Sequence, residues 1–440
     1  MSKFSQVSIL EAAKEKNVKF VRLQFTDLFG NLKNVEIPVS QLQKALDNQM
    51  MFDGSSIEGF TRIEESDMYL RPDLNTWLIL PTDLEYGTVA RLICDVYKPD
   101  GTAFEGDPRG ILKKVLKRAA DKGYKAYVGP EPEFFLFKKT VDGSLVPNDK
   151  GGYFDLSPID SGENCRRDIV LTLEEMGFEM EAAHHEVAIG QHEVDFKYED
   201  ALKTADNIQT FKLVVRIVAE RHGLIASFMP KPIFGENGSG MHCNMSLFKG
   251  EENAFVNEKD PEGLSQLAYQ FIAGVLYHAR ASSAITNPLI NSYKRLVPGY
   301  EAPVYVAWST SNRTCMVRIP ASRGLGTRVE ARHVDPTANP YLALAILVSS
   351  GLDGIERNIV VPKQHKENLY HLDEEGIKDR GIPTLPADLM ESVEEFKQSD
   401  LIKDVLGKHA FKHYLEGKKK EISDYRMYVS QWELDNYLNK

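Results

Sequence analysis

Cysteine is scarce in this chain: four residues in 440, Cys94, Cys165, Cys243 and Cys315, with no C-x-x-C pair among them. That excludes a thiolate zinc site and a disulfide framework, and reduced thiols are expected. Long apolar runs are missing too. The longest, YLALAILV at 341–348, falls far short of the ~18 residues needed to span a bilayer, so no membrane partner is expected. The opening MSKFSQVSIL has no apolar core of signal-peptide length, which points away from export and toward the cytoplasm. Basic residues are outnumbered, 53 Lys and Arg against 64 Asp and Glu, for a formal net charge of −11. A phosphate backbone demands clustered cations, so nucleic acid is not an expected partner, although a local basic pocket for a small anion stays open.

What is present is enough for a large core. The chain is 42% hydrophobic, and its length suggests two or three domains. The first hundred residues read as a β-rich unit. VKFVRLQF (18–25) and NLKNVEIP (31–38) are strand-like across a DLFGN turn, and SQLQKAL (40–46) is a short helix with Ser40 as N-cap. TWLILP and VARLICDVY follow as further strands. This order fits a small β-grasp domain over 1–104. DGTAFEGDP (100–108) reads as a linker, after which Asp107 caps a helix with Pro108 at its first position and Gly123 at its end. Helices are expected near 161–176, 204–222, 261–284, 339–357 and 388–406. Strands are expected near 125–137, 184–197, 224–229, 241–248, 314–319 and 327–333. The fold class is α+β, with 105–440 a large catalytic domain of antiparallel sheet and flanking helices.

Several strand-like segments carry carboxylates. In GPEPEFFLF (129–137), Glu131 and Glu133 are two apart and share a strand face, roughly 6–7 Å from each other. Pro130 and Pro132 lack ladder donors and predict an edge or strand end. In HHEVAIGQHEVDF (184–196), Glu186 and Glu193 are symmetric about Ile189-Gly190, so a tight hairpin would set them opposite each other, within ~5.5 Å; a bulge at Gly190 would shift that register. Like charges so placed call for a divalent cation held by oxygen ligands. GENGSGMHCNMSLF (235–248) runs from a glycine-rich loop into a strand whose polar face is His242, Asn244 and Ser246; it lacks the P-loop pattern. GTRVEARHVDP (326–336) alternates in the same way, with Arg328, Glu330 and Arg332 on one face. Arg295, Arg313, Arg318, Arg328 and Arg332 all fall between 295 and 332, an anion-binding signal. Five acids and a histidine sharing a pocket require raised pKa values or bound cations. Two divalent ions, a nucleoside triphosphate and the arginines together would balance the charge, as in metal-bridged phosphoryl transfer.

Taken together these segments resemble the glutamine synthetase family of bacterial type I. FDGSSIEGF, GPEPEFFLF, HHEVAIGQHE, GENGSGMHCNMS, NSYKRLVPGYEAP, NRTCMVRIP and RVEARHVDPTANPYLA occur in the family's order between about residues 50 and 360. The resemblance implies an ATP-dependent ligase that joins ammonium to glutamate through γ-glutamyl phosphate. It implies at least two Mg²⁺ or Mn²⁺ ions, one held by Glu133, Glu186 and Glu193, the other by Glu131, His242 and Glu330. Arg313 would face the transferring phosphoryl group, and Arg318 and Arg328 the nucleotide phosphates, with Tyr198, His242 and Ser246 also at the ATP. Arg295 and Arg332 would bind glutamate, helped by Asn237, Gly238 and Glu301. Asp53 would be the base that deprotonates ammonium, with Ser56, Tyr153, Glu186 and Glu301 around it, although in isolation Asp53-Gly54 reads as a plain Asx turn.

The resemblance also implies a dodecamer of two stacked hexameric rings, the Asp53 loop of one subunit completing the site of the next. Tyr370 matches the tyrosine that is adenylylated in one subgroup. Arg62 and the compact loops look more like the feedback-regulated subgroup, in which Arg62 would couple bound glutamine to inhibition and the inhibited enzyme would bind nitrogen-responsive repressors. Ligases for bulkier amines and a catalytically dead homologue are the alternatives. Asp53, Glu186 and Glu301 favour ammonium over the first, and the complete acid and arginine set weighs against the second.

Overall fold

Two sheets organise the chain, seen in a computed structural model that describes residues 4–57, 59, 67–81 and 87–440. The small sheet holds β1 (Val18–Thr26), β2 (Leu32–Pro38), β3 (Met50–Asp53), β4 (Asp67–Pro72), β5 (Leu78–Leu80) and β6 (Thr88–Tyr97). Its order is β2-β1-β6-β4-β3, with β5 also on β6 and the β1–β6 pair parallel. The β1–β2 turn is drawn tight by Asp27, whose Oδ1 accepts the N–H groups of Phe29 and Asn31. Gly30 (φ +89°) presses this turn onto Asn339, where a Cβ would stand 3.0 Å from the Asn339 Cα.

Three readings of this region need correction. Ser40 caps nothing: it lies inside a 3₁₀ turn, Val39–Gln41, that leads into Leu42–Leu46 without a side-chain cap. The strands MMFD and DMYLRP were missed, being short and partly exposed. So was a helix, Gln6–Glu15, which Ser5 and Ser8 close with a reciprocal capping box. Arg62 lies outside the described residues.

The large sheet is built on β7 (Lys125–Lys139), with β8 (Leu145–Pro147), β9 (Met180–His185), β10 (Gln191–Phe196), β11 (Glu199–Asp200), β12 (Leu224–Ser227), β13 (Met241–Lys249), β14 (Glu252–Asn253), β15 (Tyr305–Ser309), β16 (Cys315–Arg318) and β17 (Val329–Ala331). Its main path is β15-β16-β17-β13-β7-β10-β9, antiparallel except for β15–β16. Asp107 and Pro108 start the helix Pro108–Asp121 as expected. Helix Ala201–Arg221, capped by Asp200, backs the sheet, and Pro340–Glu356, capped by Asn339, packs among the helices behind it. The second is buried along nearly its whole length, so its apolar run is core rather than membrane. The expected 261–284 helix breaks at His278 into Gln266–Tyr277 and Ala279–Thr286. The expected 388–406 helix stops at Gln398, where Ser399 caps a second helical stretch, Asp400–Met427, interrupted at Gly407. No helix among the described residues is long and apolar enough to cross a membrane.

The proline-rich stretch is not an edge. β7 is central, paired with β13 through residues 125–132. On its other side β11 covers 127–128 and β10 covers 133–135. Glu133 N–H points to the β13 side, donating to Gly240 O at 3.0 Å. Pro130 and Pro132, of the opposite parity, therefore face the gap between β11 and β10, where no ladder asks them for a donor.

One buried guanidinium joins the two sheets' units. Arg109 reaches Asp73 and Asp95 at 2.8 Å, on or beside the small sheet, and Asp206 at 2.9 Å on helix Ala201–Arg221. Asp206 also accepts the Tyr341 hydroxyl at 2.7 Å. Arg109→Met is expected to cost about 3–5 kcal/mol, because it strands the buried carboxylate of Asp206. Urea titration would measure it, and a loss below 1 kcal/mol would mean the junction does not depend on this cation.

Candidate active site

Acidic side chains converge because four strands meet side by side. β10 pairs with β7 so that Glu193 lies opposite Glu133, and β13 pairs with β7 so that His242 lies opposite Glu131. β17 then places Glu330 beside Asn244 on one flank and Arg318 on the other. The result is a cavity of about 260 Å³ bordered by Glu131, Glu133, Glu186, Glu193, His242 and the arginines 295, 313, 318 and 332.

The hairpin expectation was wrong in register. Glu193 sits opposite His184, not Glu186, since His192 pairs with His185 and the turn runs through 186–190 with Gly190 at φ +67°. Glu186 thus falls at the mouth of the turn, its N–H donating to Gln191 O at 2.8 Å, and His184 stands between the two acids, 3.5 Å from each. Glu133, Glu186 and Glu193 share the cavity, yet their oxygens do not close to the 4.8 Å grouping reached by His184, Glu193 and Asp195.

Crowding shows in the electrostatics. Burial, then the charges of Glu186 and Glu193, pushes the Glu133 carboxyl well up. Burial and Glu193 push Glu186 up to about 7, and burial with Glu193 and Glu131 raises Asp195 to about 10. Oxygen-rich acids that cannot all ionise together in a half-closed cavity fit a hard divalent cation.

Glu131, His242 and Glu330 form the tighter group, their ligand atoms within 4.8 Å of one another. Glu131 Oε2 is 3.1 Å from His242 Nδ1, and Oε1 accepts Asn244 Nδ2 at 2.8 Å. Burial opposes the charge on Glu131, but the His242 contact and Asn244 hold its carboxyl down to about 2. Glu330 is fully buried and gripped by Arg318 and Arg332. Arg295 is fixed by the carbonyls of His333 (2.8 Å) and Arg332 (3.1 Å). Arg332 keeps a buried Nε with no partner among the described residues.

Beyond Glu131 a second cavity of about 220 Å³ opens, bordered by Tyr198, Asn244, Ser246, Thr327 and Arg328. Arg328 Nε donates to Asn244 Oδ1 at 3.0 Å. Glu131 and Asp195 border both cavities.

The remaining candidates divide. Tyr153, Asn237, Gly238 and Glu301 line the acidic cavity, and Asn237 Nδ2 donates to Glu301 Oε2 at 3.1 Å. Glu301 adopts φ +56° in its loop. Asp53 and Ser56 do not border the cavity of their own chain. Asp53 is exposed, its Oδ1 accepting Ser55 N–H and Oγ–H, which lower its carboxyl from the usual value. Tyr370 donates its hydroxyl to Ala302 O at 2.8 Å.

Four contributors went unseen in the sequence: His184, Gln191, Asp195 and Asp149. Period two from Glu193 would have flagged Gln191 and Asp195; His184 needed the register. Asp149 clamps the acid-bearing turn. Its Oδ1 meets His185 Nε2 at 3.0 Å before the turn and accepts Gly190 N–H at 3.1 Å after it. His185 Nδ1 lies 2.6 Å from the Glu186 carbonyl oxygen. Asp149, Asp160, His185 and His192 also cluster, but Arg166 stands among them, 2.7 Å from Asp160 and 2.9 Å from His192 Nδ1, and supplies the positive charge. Asp149→Asn is expected to weaken Mn²⁺ binding roughly 10–100-fold, in line with losses of groups that orient ligands. Electron paramagnetic resonance of free Mn²⁺ measures this without turnover; unchanged affinity would remove Asp149 from the site's support.

Known proteins match this chain over nearly its whole length. Residues 105–437 match the family model described as glutamine synthetase, catalytic domain, and residues 17–99 that described as glutamine synthetase, beta-Grasp domain. A glutamine synthetase of Clostridium saccharobutylicum is 60% identical over 442 residues, covering 100% of both chains. One from Staphylococcus aureus (strain MRSA252) is 58% identical over 440 residues, covering 99% of each. Among solved structures, a GmaS/ADP complex superposes with a TM-score of 0.90 at 32% identity over 100% of both chains. The Plasmodium falciparum glutamine synthetase gives 0.87 at 26% identity over 99% of each.

Proposed function

The chain belongs to the glutamine synthetase family, and from that membership we propose how its own residues carry the reaction. It is a ligase that joins ammonium to L-glutamate at the expense of ATP, through γ-glutamyl phosphate. The family is ATP-dependent and metal-using. Mg²⁺ or Mn²⁺ would neutralise the triphosphate and align it with the acceptor carboxylate.

Glu131, His242 and Glu330 would hold one such ion, and Glu133, Glu186 and Glu193, which border the same acidic cavity, would hold another. ATP lies in the cavity of Tyr198 and Ser246, with Arg318 and Arg328 on its phosphates. Arg313 faces the charge that develops on the transferring phosphoryl group. Arg295 and Arg332 receive the carboxylates of glutamate, with Asn237 and Gly238 at its other end; the place of all four on the acidic cavity supports that role. Glu186, Glu301 and Tyr153 attract ammonium as a cation, and Asp53, with Ser56, removes its proton to leave the nucleophile. Those last two come from a neighbouring subunit, a reading supported by their exposure and by their absence from their own chain's cavity lining.

The observation that carries this reading is the convergence of Glu131, His242 and Glu330, with Glu131 bordering both cavities. The test is glutamine formation by the purified protein with ATP and Mg²⁺, run beside methylamine, ethanolamine and polyamines. Ammonium is expected to be used best, and faster turnover of any larger amine would overturn the substrate assignment.

The family assembles as oligomers. We infer two stacked hexameric rings, a cytoplasmic location, a domain junction after residue 104, and nitrogen-responsive repressors as partners of the inhibited enzyme. Arg62 is assigned to glutamine feedback; an Arg62→Ala enzyme still inhibited by glutamine as before would refute that.

A further inference from the structure

Away from the acidic cavity, a hollow of about 510 Å³ opens where β1 and β2 meet helix Ala201–Arg221. Four cations border it, Arg22, Lys33, Lys212 and Arg216, and among the described residues no carboxylate does. Two are already engaged, Arg22 with Glu36 at 2.9 Å and Lys33 with Asp27 at 3.7 Å. The other two are not. Among the described residues neither the Lys212 nor the Arg216 side chain has a hydrogen-bond or ion-pair partner, and Arg216 only overlies the Phe228 ring, 5.1 Å from its centroid.

Lys212 is 7% exposed, so its ammonium belongs to the hollow and not to the open surface. Burial, with the repulsion of Arg216, pushes it down to about 7 against the pull of Asp335. A buried cation without a partner is costly, and an anion beside it removes that cost. The volume lies within the range of about 300–1,000 Å³ typical of small-molecule sites.

We propose that this hollow is a second ligand site, which takes a small phosphate- or carboxylate-bearing anion between Lys212 and Arg216. It shares no lining residue with the acidic cavity or with the cavity beyond it, so it lies beyond the ligation reaction. Its walls come from the small sheet and from a helix of the large unit. An anion bound there ties the two together and raises the melting temperature through its preference for the folded state.

The test is calorimetric titration of the intact assembly with inorganic pyrophosphate and, separately, with citrate. It is run without divalent metal or nucleotide, so that the acidic cavity repels both probes. Saturable binding of one anion per chain is expected, and the tighter probe identifies the class. Lys212→Met should weaken it roughly 10–100-fold, as loss of a charge-assisted contact does, with turnover at saturating substrates unchanged. Wild-type protein that binds neither probe overturns the proposal, as does a folded Lys212→Met that binds as well as wild type. Should Lys212→Met not fold, the exposed Arg216→Gln decides: full affinity overturns the site, weakened affinity supports it.

Discussion

Glu133→Gln is expected to abolish ligation, by about a thousandfold or more in kcat, while leaving the fold as stable as before or more so. The Glu133 Oε2 accepts Gly240 N–H at 2.9 Å and Gln191 Nε2 at 3.0 Å, and a glutamine carbonyl accepts both. The substitution also removes one charge from a group that repels itself, since Glu186 and Glu193 already push Glu133 up after burial does. What the amide lacks is the charge to hold a divalent cation. Activity and melting temperature should therefore move apart. Glu330→Gln gives the contrast: it leaves Arg318 and Arg332 around a neutral amide at a fully buried position. It should lose activity and also about 3–5 kcal/mol of stability. A Glu133→Gln enzyme within tenfold of wild type would remove Glu133 from the metal site.

The second large effect concerns subunits. Asp53→Asn and Glu133→Gln should each be inactive alone, yet chains mixed, dissociated and reassembled should regain about a quarter of wild-type activity. With random placement around a closed ring, that is the share of sites drawing an intact Asp53 loop from one copy and an intact Glu133 from the other. Recovery at equal mixing, read by glutamine formation, is the measurement. No recovery after verified co-assembly, or fully active isolated monomers, would place Asp53 within its own chain's site.

How much of this could be read beforehand follows from where the information lies. Asp107-Pro108 and the alternation of His242, Asn244 and Ser246 are local signals, and each element formed where it was expected. Pro130 and Pro132 misled because a proline reports only on its own missing donor. Whether that side of the strand is open solvent or a gap between β11 and β10 depends on chain some sixty residues away. The hairpin register failed for a related reason: a turn at Gly190 could close in more than one way. The pairing of His185 with His192 is settled in part by Asp149, which lies outside the segment. Of the site, the acids and arginines were legible because charge in apolar surroundings demands an explanation. His184 and Asp149 were not, since each acts through a partner that only tertiary structure brings near.

All four thiols are buried, and burial raises each of them above its usual value. Thiolate chemistry on the folded protein is therefore slow. A cysteine engineered at an exposed position such as Phe234 would be the one fast-reacting handle. Fluorophores or spin labels could then be attached to the wild-type background without deleting any native sulfhydryl.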